Sequence, residues 1–161
     1  MSTDKFRELA EDLFEQAYQH QLEGDLDIAV NLYLRSIEAY PTAEAHTFLG
    51  WAYSSQGKLD EAIAECKKAI EVDPDFGNPY NDIGSYLIQK LEYEEAIPWL
   101  LQALLSKRYE LRHFAHYNLG QAYEGVELYS MARQAYEQAL LAQPDYQPAG
   151  RALAALRTKV Q

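Results

Sequence analysis

Residues 46–74 read HTFLGWAYSSQGKLDEAIAECKKAIEVDP, and residues 116–144 read HYNLGQAYEGVELYSMARQAYEQALLAQP. Both segments place Leu-Gly first, Tyr three residues after the glycine, two alanines seven residues apart, and proline at the end. A pattern that returns at a fixed interval indicates one structural unit built in several copies. The repeat length therefore determines the architecture of the chain.

The same interval runs through most of the chain. Alanines mark it at Ala29, Ala62, Ala96 and Ala132, in steps of 33, 34 and 36 residues, and glycines mark it at Gly50, Gly84 and Gly120. A third copy, YNDIGSYLIQKLEYEEAIPWLLQALLSKR at residues 80–108, has Arg108 in the proline position. The first copy is the most divergent, with Ala17 in the glycine position.

This pattern resembles the tetratricopeptide repeat (TPR) family, whose repeat has an aromatic residue, Leu-Gly and Tyr on a first helix and Ala, an aromatic residue, Ala and Pro on a second. The matching residues are Leu49, Gly50, Tyr53, Ala62, Ala69 and Pro74, and then Leu119, Gly120, Tyr123, Ala132, Tyr136, Ala139 and Pro144. The resemblance implies an all-α, right-handed α-solenoid of helix-turn-helix units. It implies one domain over residues 1–161, with repeats at approximately 10–42, 43–76, 77–112 and 113–146 and a capping helix at 147–161.

Two segments depart from the regular repeat. After Pro148, Leu153, Leu156 and Val160 follow one another at three to four residues, which predicts the capping helix. Arg108 replaces the closing proline, and two extra residues lie nearby, so we expect a lengthened helix or an altered junction at 104–113.

Composition narrows the function. The chain has 14 Lys and Arg against 25 Asp and Glu, a net charge of −11, which argues against a nucleic-acid partner. It has neither an apolar run of membrane-spanning length nor a signal-peptide pattern, and its one cysteine, Cys66, provides no disulfide. We therefore expect a cytoplasmic protein that has no membrane partner, metal or other cofactor.

The resemblance also implies where a partner binds, because the first helix of each TPR unit lines the concave surface. The predicted peptide-binding residues are Phe14, Tyr18, Phe48, Trp51, Asn81, Asp82, Phe114, Tyr117, Asn118 and Gln121. Aromatic rings provide contact area at low entropic cost, and amides can pair with a peptide backbone. The acidic residues Glu11, Glu15, Glu44 and Asp82 favour Lys or Arg on the partner, so we expect a protein or peptide of basic or apolar character.

One type of TPR ligand is excluded. Domains of this family that bind the C-terminal carboxylate of heat-shock chaperones use Lys, Asn and Arg on successive first helices. The corresponding positions here hold Phe14, Phe48 and Asp82 among others. A terminal carboxylate would therefore meet aromatic rings and an acid.

Four functions stay open. The first is an adaptor that binds a partner's peptide segment in its groove, and the second is a small bacterial secretion or assembly chaperone that holds an unfolded client. The third is a metal-dependent or regulatory enzyme subunit using Glu110, His113 and His116. The fourth is a self-assembling structural module, such as a homodimer. Because no phosphate loop, nucleophile elbow or catalytic triad is apparent, we predict no enzymatic activity.

Overall fold

The computed structural model of the protein describes residues 2–159. Within this range the regular structure consists of nine α-helices: α1 Thr3–Leu22, α2 Leu26–Ala39, α3 Ala43–Ser55, α4 Leu59–Val72, α5 Asn78–Gln89, α6 Tyr93–Leu105, α7 Arg112–Gly125, α8 Tyr129–Ala142 and α9 Gln147–Leu156. Successive helices pack in pairs, α1 on α2, α3 on α4, α5 on α6 and α7 on α8. The prediction of an all-α fold made of helix-turn-helix units is confirmed.

The contacts divide the chain into two compact units. Unit 1 ends at Pro74 and contains α1 to α4, and unit 2 begins at Asp75 and contains α5 to α9. The single domain and the four repeat boundaries expected from the sequence stay predictions.

Small residues let the helices of unit 1 approach one another. Ala17 of α1 and Ala29 of α2 are both fully buried, and a Cβ atom on Gly50 of α3 would lie 3.0 Å from the Ala62 carbonyl oxygen of α4. Helices cross this closely only where side chains are small. Larger apolar side chains fill the remaining space, and this core contains Leu13, Leu32, Tyr33 and Leu49.

In unit 2, glycines also allow the helices to approach closely, but they face larger side chains. A Cβ atom on Gly84 of α5 would lie 2.4 Å from the Leu100 side chain of α6, and one on Gly120 of α7 would lie 2.2 Å from the Tyr136 ring of α8. The Tyr136 hydroxyl donates to Glu124 at 2.6 Å. In unit 1, Tyr33 donates to Gln21 across the same twelve-residue spacing, at 2.6 Å. The repeat thus preserves a buried hydroxyl and its acceptor as well as apolar packing.

Each helix pair turns through one residue in the left-handed region. Gly24 and Gly57 do so in unit 1, with φ of 86° and 80°. Leu91 and Glu127 occupy the corresponding turns of unit 2, with φ of 63° and 62°. Glycine adopts this conformation without the steric cost that a side chain brings, so the turns of unit 2 are the more strained.

The second helices end in two ways. α2, α4 and α8 each end two residues before a proline, namely Pro41, Pro74 and Pro144, which cannot continue a helix. α6 instead ends at Leu105, and the chain then runs beside residues 75–77. Arg108 donates its backbone N–H to Asp75 and accepts from Gly77, each at 3.0 Å, and its guanidinium lies 4.3 Å from the centre of the Phe76 ring. The junction expected to be irregular is therefore a short backbone pairing.

The last described helix is α9, which packs on α8. Leu156 is buried and Leu153 is half-buried, as the apolar stripe predicts, while Arg151 is exposed. Lys159 pairs with Glu124 at 3.0 Å and so ties the chain after α9 to α7. Val160 and Gln161 of the predicted capping helix lie outside the described residues.

Candidate peptide-binding surface

The ten predicted peptide-binding residues fall into two sets. Phe14, Tyr18, Phe48 and Trp51 belong to α1 and α3 of unit 1, and the six others belong to α5 and α7 of unit 2. The structure brings residues together within each set.

The four aromatic residues of unit 1 form one cluster, which we call the aromatic surface. The Phe48 ring lies at its centre, with ring centroids 5.0 Å from Phe14, 5.7 Å from Tyr18 and 5.9 Å from Trp51. Phe14 also packs edge-on against the buried Tyr33 at 5.6 Å. Trp51 is 40% exposed, and the three others are half-buried. One edge of this surface therefore supports the core while the other is open to solvent.

A cavity of about 600 Å³ lies beside the aromatic surface. Its lining comes from α1, α2 and the start of α3: Arg7, Ala10, Glu11, Phe14, Glu15, Ser36, Tyr40, Thr42, Glu44 and Phe48. Thr42 caps α3 by accepting the Ala45 N–H at 3.1 Å. The Ser36 hydroxyl donates to the Ala10 carbonyl at 2.7 Å, and this hydrogen bond holds α1 and α2 together where they line the cavity. Sequence reasoning identified several of these residues but not the cavity they share.

The polar residues of unit 2 meet at two places. Asn118 donates to Asn81 at 3.0 Å, which joins α7 to α5, and Gln121 donates to the Tyr117 hydroxyl at 3.1 Å. Burial raises the pKa of the neighbouring Asp82 carboxyl to about 7, although its hydrogen bond with Asn81 acts in the opposite direction. The amides expected to face a ligand are thus also hydrogen-bonded within the protein.

A second ring cluster in unit 2 includes residues that sequence reasoning missed. Tyr146, just before α9, lies 5.6 Å from both Phe114 and Tyr117 and 5.0 Å from His113, measured between ring centroids. Burial lowers the pKa of His113. Tyr146 follows a closing proline rather than lying on a first helix, so repeat position gave no signal for it.

Another missed residue is Glu65, a buried acid of α4. It accepts from His46 at 2.8 Å and from Lys68 at 2.9 Å. Burial alone would raise the pKa of Glu65, but these two partners outweigh it, and the pKa is lowered. Glu65 thus joins a buried hydrogen bond with His46 to an ion pair with the exposed Lys68.

The proposed metal-binding triad does not assemble. The residues predicted for it are Glu110, His113 and His116. Across residues 2–159, the His, Cys, Asp and Glu side chains whose ligand atoms converge within 4.8 Å are instead those of His20, Glu23 and Asp25, at the turn between α1 and α2. The His113 ring packs against Phe114 at 4.1 Å, so the enzyme-subunit hypothesis has no converging donor set at this position.

No helix within the described range is both long and apolar enough to cross a membrane.

Known proteins resemble this chain in sequence and in structure. A curated relative is the protein SGT1 homolog of Oryza sativa subsp. japonica, 36% identical over 88 residues, which are 54% of this chain and 24% of the relative. The type IV pilus assembly protein PilF of Pseudomonas aeruginosa is 28% identical over 142 residues, 87% of this chain and 56% of PilF. The chain thus spans about a quarter of one relative and about half of the other.

The solved structure of Pseudomonas aeruginosa PilF superimposes on this chain with a TM-score of 0.89 at 22% identity, covering 96% of this chain and 70% of that one. At this identity the likeness establishes the fold. Tetratricopeptide repeat family models match residues 43–76 and 115–146, the α3–α4 and α7–α8 pairs. The α3–α4 and α7–α8 pairs are therefore tetratricopeptide repeats, and the other two helix pairs have the same helix-turn-helix design.

Proposed function

We propose that this protein is a non-enzymatic adaptor that binds a peptide segment of a partner protein. The observation that carries the proposal is the aromatic surface of unit 1. Four rings from two helices lie in contact, and the outermost, Trp51, is 40% exposed. Contiguous aromatic area of this kind is the usual energetic centre of a protein–protein interface.

Of the six predicted residues of unit 2, Asn81 is buried, whereas the four on α7 are consistent with the same role. Phe114 is 36% exposed, and Tyr117, Asn118 and Gln121 are partly accessible. Their amide and hydroxyl groups are already oriented by hydrogen bonds, so binding would cost little side-chain entropy. We propose that a segment binding to unit 2 uses this surface.

Trp51→Ala tests the proposal most directly, because the Trp51 ring is the outermost of its cluster. Full-length wild-type and variant proteins would be used to recover partners from an extract of the source cells. We expect Trp51→Ala to weaken binding of the recovered partner at least about tenfold, as truncation of an interface tryptophan does. Leu141→Ala is the matched control, since Leu141 is 75% exposed and lies on α8, which contributes no residue to either predicted surface.

Circular dichroism must show that both variants are folded. If folded Trp51→Ala recovers the partner as well as wild type does, the aromatic surface is not the interface and the proposal fails.

A second candidate function is assembly of a multiprotein structure, in which the protein acts as a small chaperone that holds a client during assembly. The alignment with PilF supports it, because it extends over 87% of this chain rather than over one or two repeats. We propose type IV pilus assembly as the form this function takes, in a bacterial cell.

Complementation separates the two candidates. The chain would be expressed in Pseudomonas aeruginosa lacking PilF, and assembled pili would be counted by electron microscopy. Restored pili would support the assembly function. Expression of folded protein without pili would contradict it, and the adaptor function would be the proposal that remains. The cytoplasmic location is also a proposal, and fractionation of the source cells tests it.

A further inference from the structure

The cavity of unit 1 has an apolar floor. Phe14 and Phe48 line it with ring centroids 5.0 Å apart, and the buried Ala10 lies beneath them. Its volume of about 600 Å³ falls within the range of small-molecule sites in proteins. The apolar stem of a long side chain could pack against these two rings.

The charges around this floor are unequal. Glu11, Glu15 and Glu44 contribute three carboxylates to the lining, against one guanidinium from Arg7. Arg7 is engaged by Tyr40: it donates to the hydroxyl at 3.1 Å, and its guanidinium carbon lies 5.0 Å from the ring centre. The lining therefore carries a net formal charge of −2, with its one positive group held against Tyr40.

An apolar floor in a cavity lined by three carboxylates fits a cationic side chain with an apolar stem. We propose that this cavity binds an arginine side chain of the partner segment; the inference rests on the proposed function and names the chemistry its partner must carry. A guanidinium can stack on the Phe14 and Phe48 rings while its N–H groups donate to the glutamates. Lysine lacks the planar fork and is more strongly hydrated, so arginine is the preferred occupant. A carboxylate would be repelled.

The test uses small probes, so that it does not depend on knowing the partner. N-acetyl-arginine methylamide and its neutral isostere N-acetyl-citrulline methylamide would be titrated into ¹⁵N-labelled full-length protein at low salt. We expect the arginine probe to shift backbone amide resonances of α1 and the start of α3. Citrulline should bind about tenfold more weakly, because it forms no ion pair with the three carboxylates.

A matched pair of triple variants assigns the effect to the cavity. Glu11→Gln, Glu15→Gln and Glu44→Gln together should weaken the arginine probe about tenfold. Glu8→Gln, Glu38→Gln and Glu71→Gln remove the same charge from exposed positions outside the lining and should leave binding within about twofold of wild type. Equal affinity for arginine and citrulline, equal weakening by both triples, or shifts confined to other helices would overturn the inference.

The two proposals fail separately. If Trp51→Ala loses the partner while the arginine probe does not bind the cavity, the adaptor function stands and the arginine site is wrong. If the probe binds as expected while Trp51→Ala retains the partner, the cavity recognises arginine and the aromatic surface is not the interface.

Discussion

Glu65 shows how a single buried acid contributes to the stability of unit 1. His46 and Lys68 hold its carboxylate at 2.8 and 2.9 Å, and they lower its pKa in spite of burial. A group whose pKa is lower in the folded than in the unfolded state contributes stability above its unfolded pKa, about 4.3 for glutamate. That contribution is lost as the pH falls through the folded pKa.

We therefore predict that Glu65→Gln lowers the free energy of unfolding by about 1–2 kcal/mol at pH 7, because a charged hydrogen bond to each partner is lost. At pH 3 the difference between wild type and variant should shrink, since this pH lies below the unfolded pKa and part of the contribution from Glu65 has then been lost. Urea unfolding at both pH values measures this. Glu38→Gln, at an exposed position of α2, should have little effect at either pH, and a Glu65→Gln effect of equal size at pH 3 would contradict the explanation.

For single residues, the sequence predicted the helix on which each side chain lies better than it predicted the hydrogen-bond partner of that side chain. Repeat position placed Phe14, Tyr18, Phe48 and Trp51 on two first helices, and the structure shows their rings in contact. The hydrogen bond from Asn118 to Asn81 joins residues 37 positions apart and depends on the rotamers of both, which helical spacing does not determine. Whether these residues bind a peptide stays a prediction.

Among the elements, the four helix pairs are held together at small residues, but the tolerance differs between pairs. A Cβ atom on Gly120 would lie 2.2 to 2.7 Å from three atoms of the Tyr136 ring, whose hydroxyl is anchored to Glu124. One on Gly50 would meet Ala62 and Cys66 at 3.0 and 3.2 Å. One on Gly150 of α9 would meet nothing within 4 Å.

These distances predict an order of stabilities for glycine-to-alanine variants. Gly120→Ala should lower the free energy of unfolding by about 1–3 kcal/mol, because the anchored ring cannot withdraw from the added methyl group. Gly150→Ala, the control in open space, should raise it by about 0.5–1 kcal/mol through helix propensity. Gly50→Ala should fall between them. Chemical denaturation gives the order, and a Gly120→Ala variant as stable as Gly150→Ala would show that the crossing is looser than described.

Element boundaries were predictable where a residue enforces them. Pro41, Pro74 and Pro144 each stop a helix two residues earlier, as their chemistry requires. Without a proline, the end of α6 and the pairing of Arg108 with Asp75 and Gly77 could not be read from the pattern. That pairing depends on a contact between segments about 30 residues apart.

For the whole molecule, the strongest general property is its charge of −11. A field of this sign attracts a basic partner over several ångströms before contact, and salt screens the attraction.

The fold itself was predictable because four copies of one pattern agree. The partner was not, since a repeat architecture determines how helices pack far more than what binds to them.

We predict that the association rate constant for the partner recovered by pull-down falls at least about tenfold between 20 and 500 mM NaCl, while the dissociation rate constant changes much less. Surface plasmon resonance measures both constants. A dissociation rate that carries most of the salt dependence would indicate that ion pairs act within the complex and not in its encounter. No salt dependence at all would exclude a basic partner.

Leu91 adopts the left-handed conformation in the turn of the third helix pair, where the two pairs of unit 1 have glycine. Packing on either side of a turn can thus maintain a backbone conformation that the turn residue itself does not favour. Glu127 adopts the same conformation in the fourth pair, which a family model matches. A repeat of this kind can therefore be recognised from the geometry of its turn even where the turn residue is not glycine.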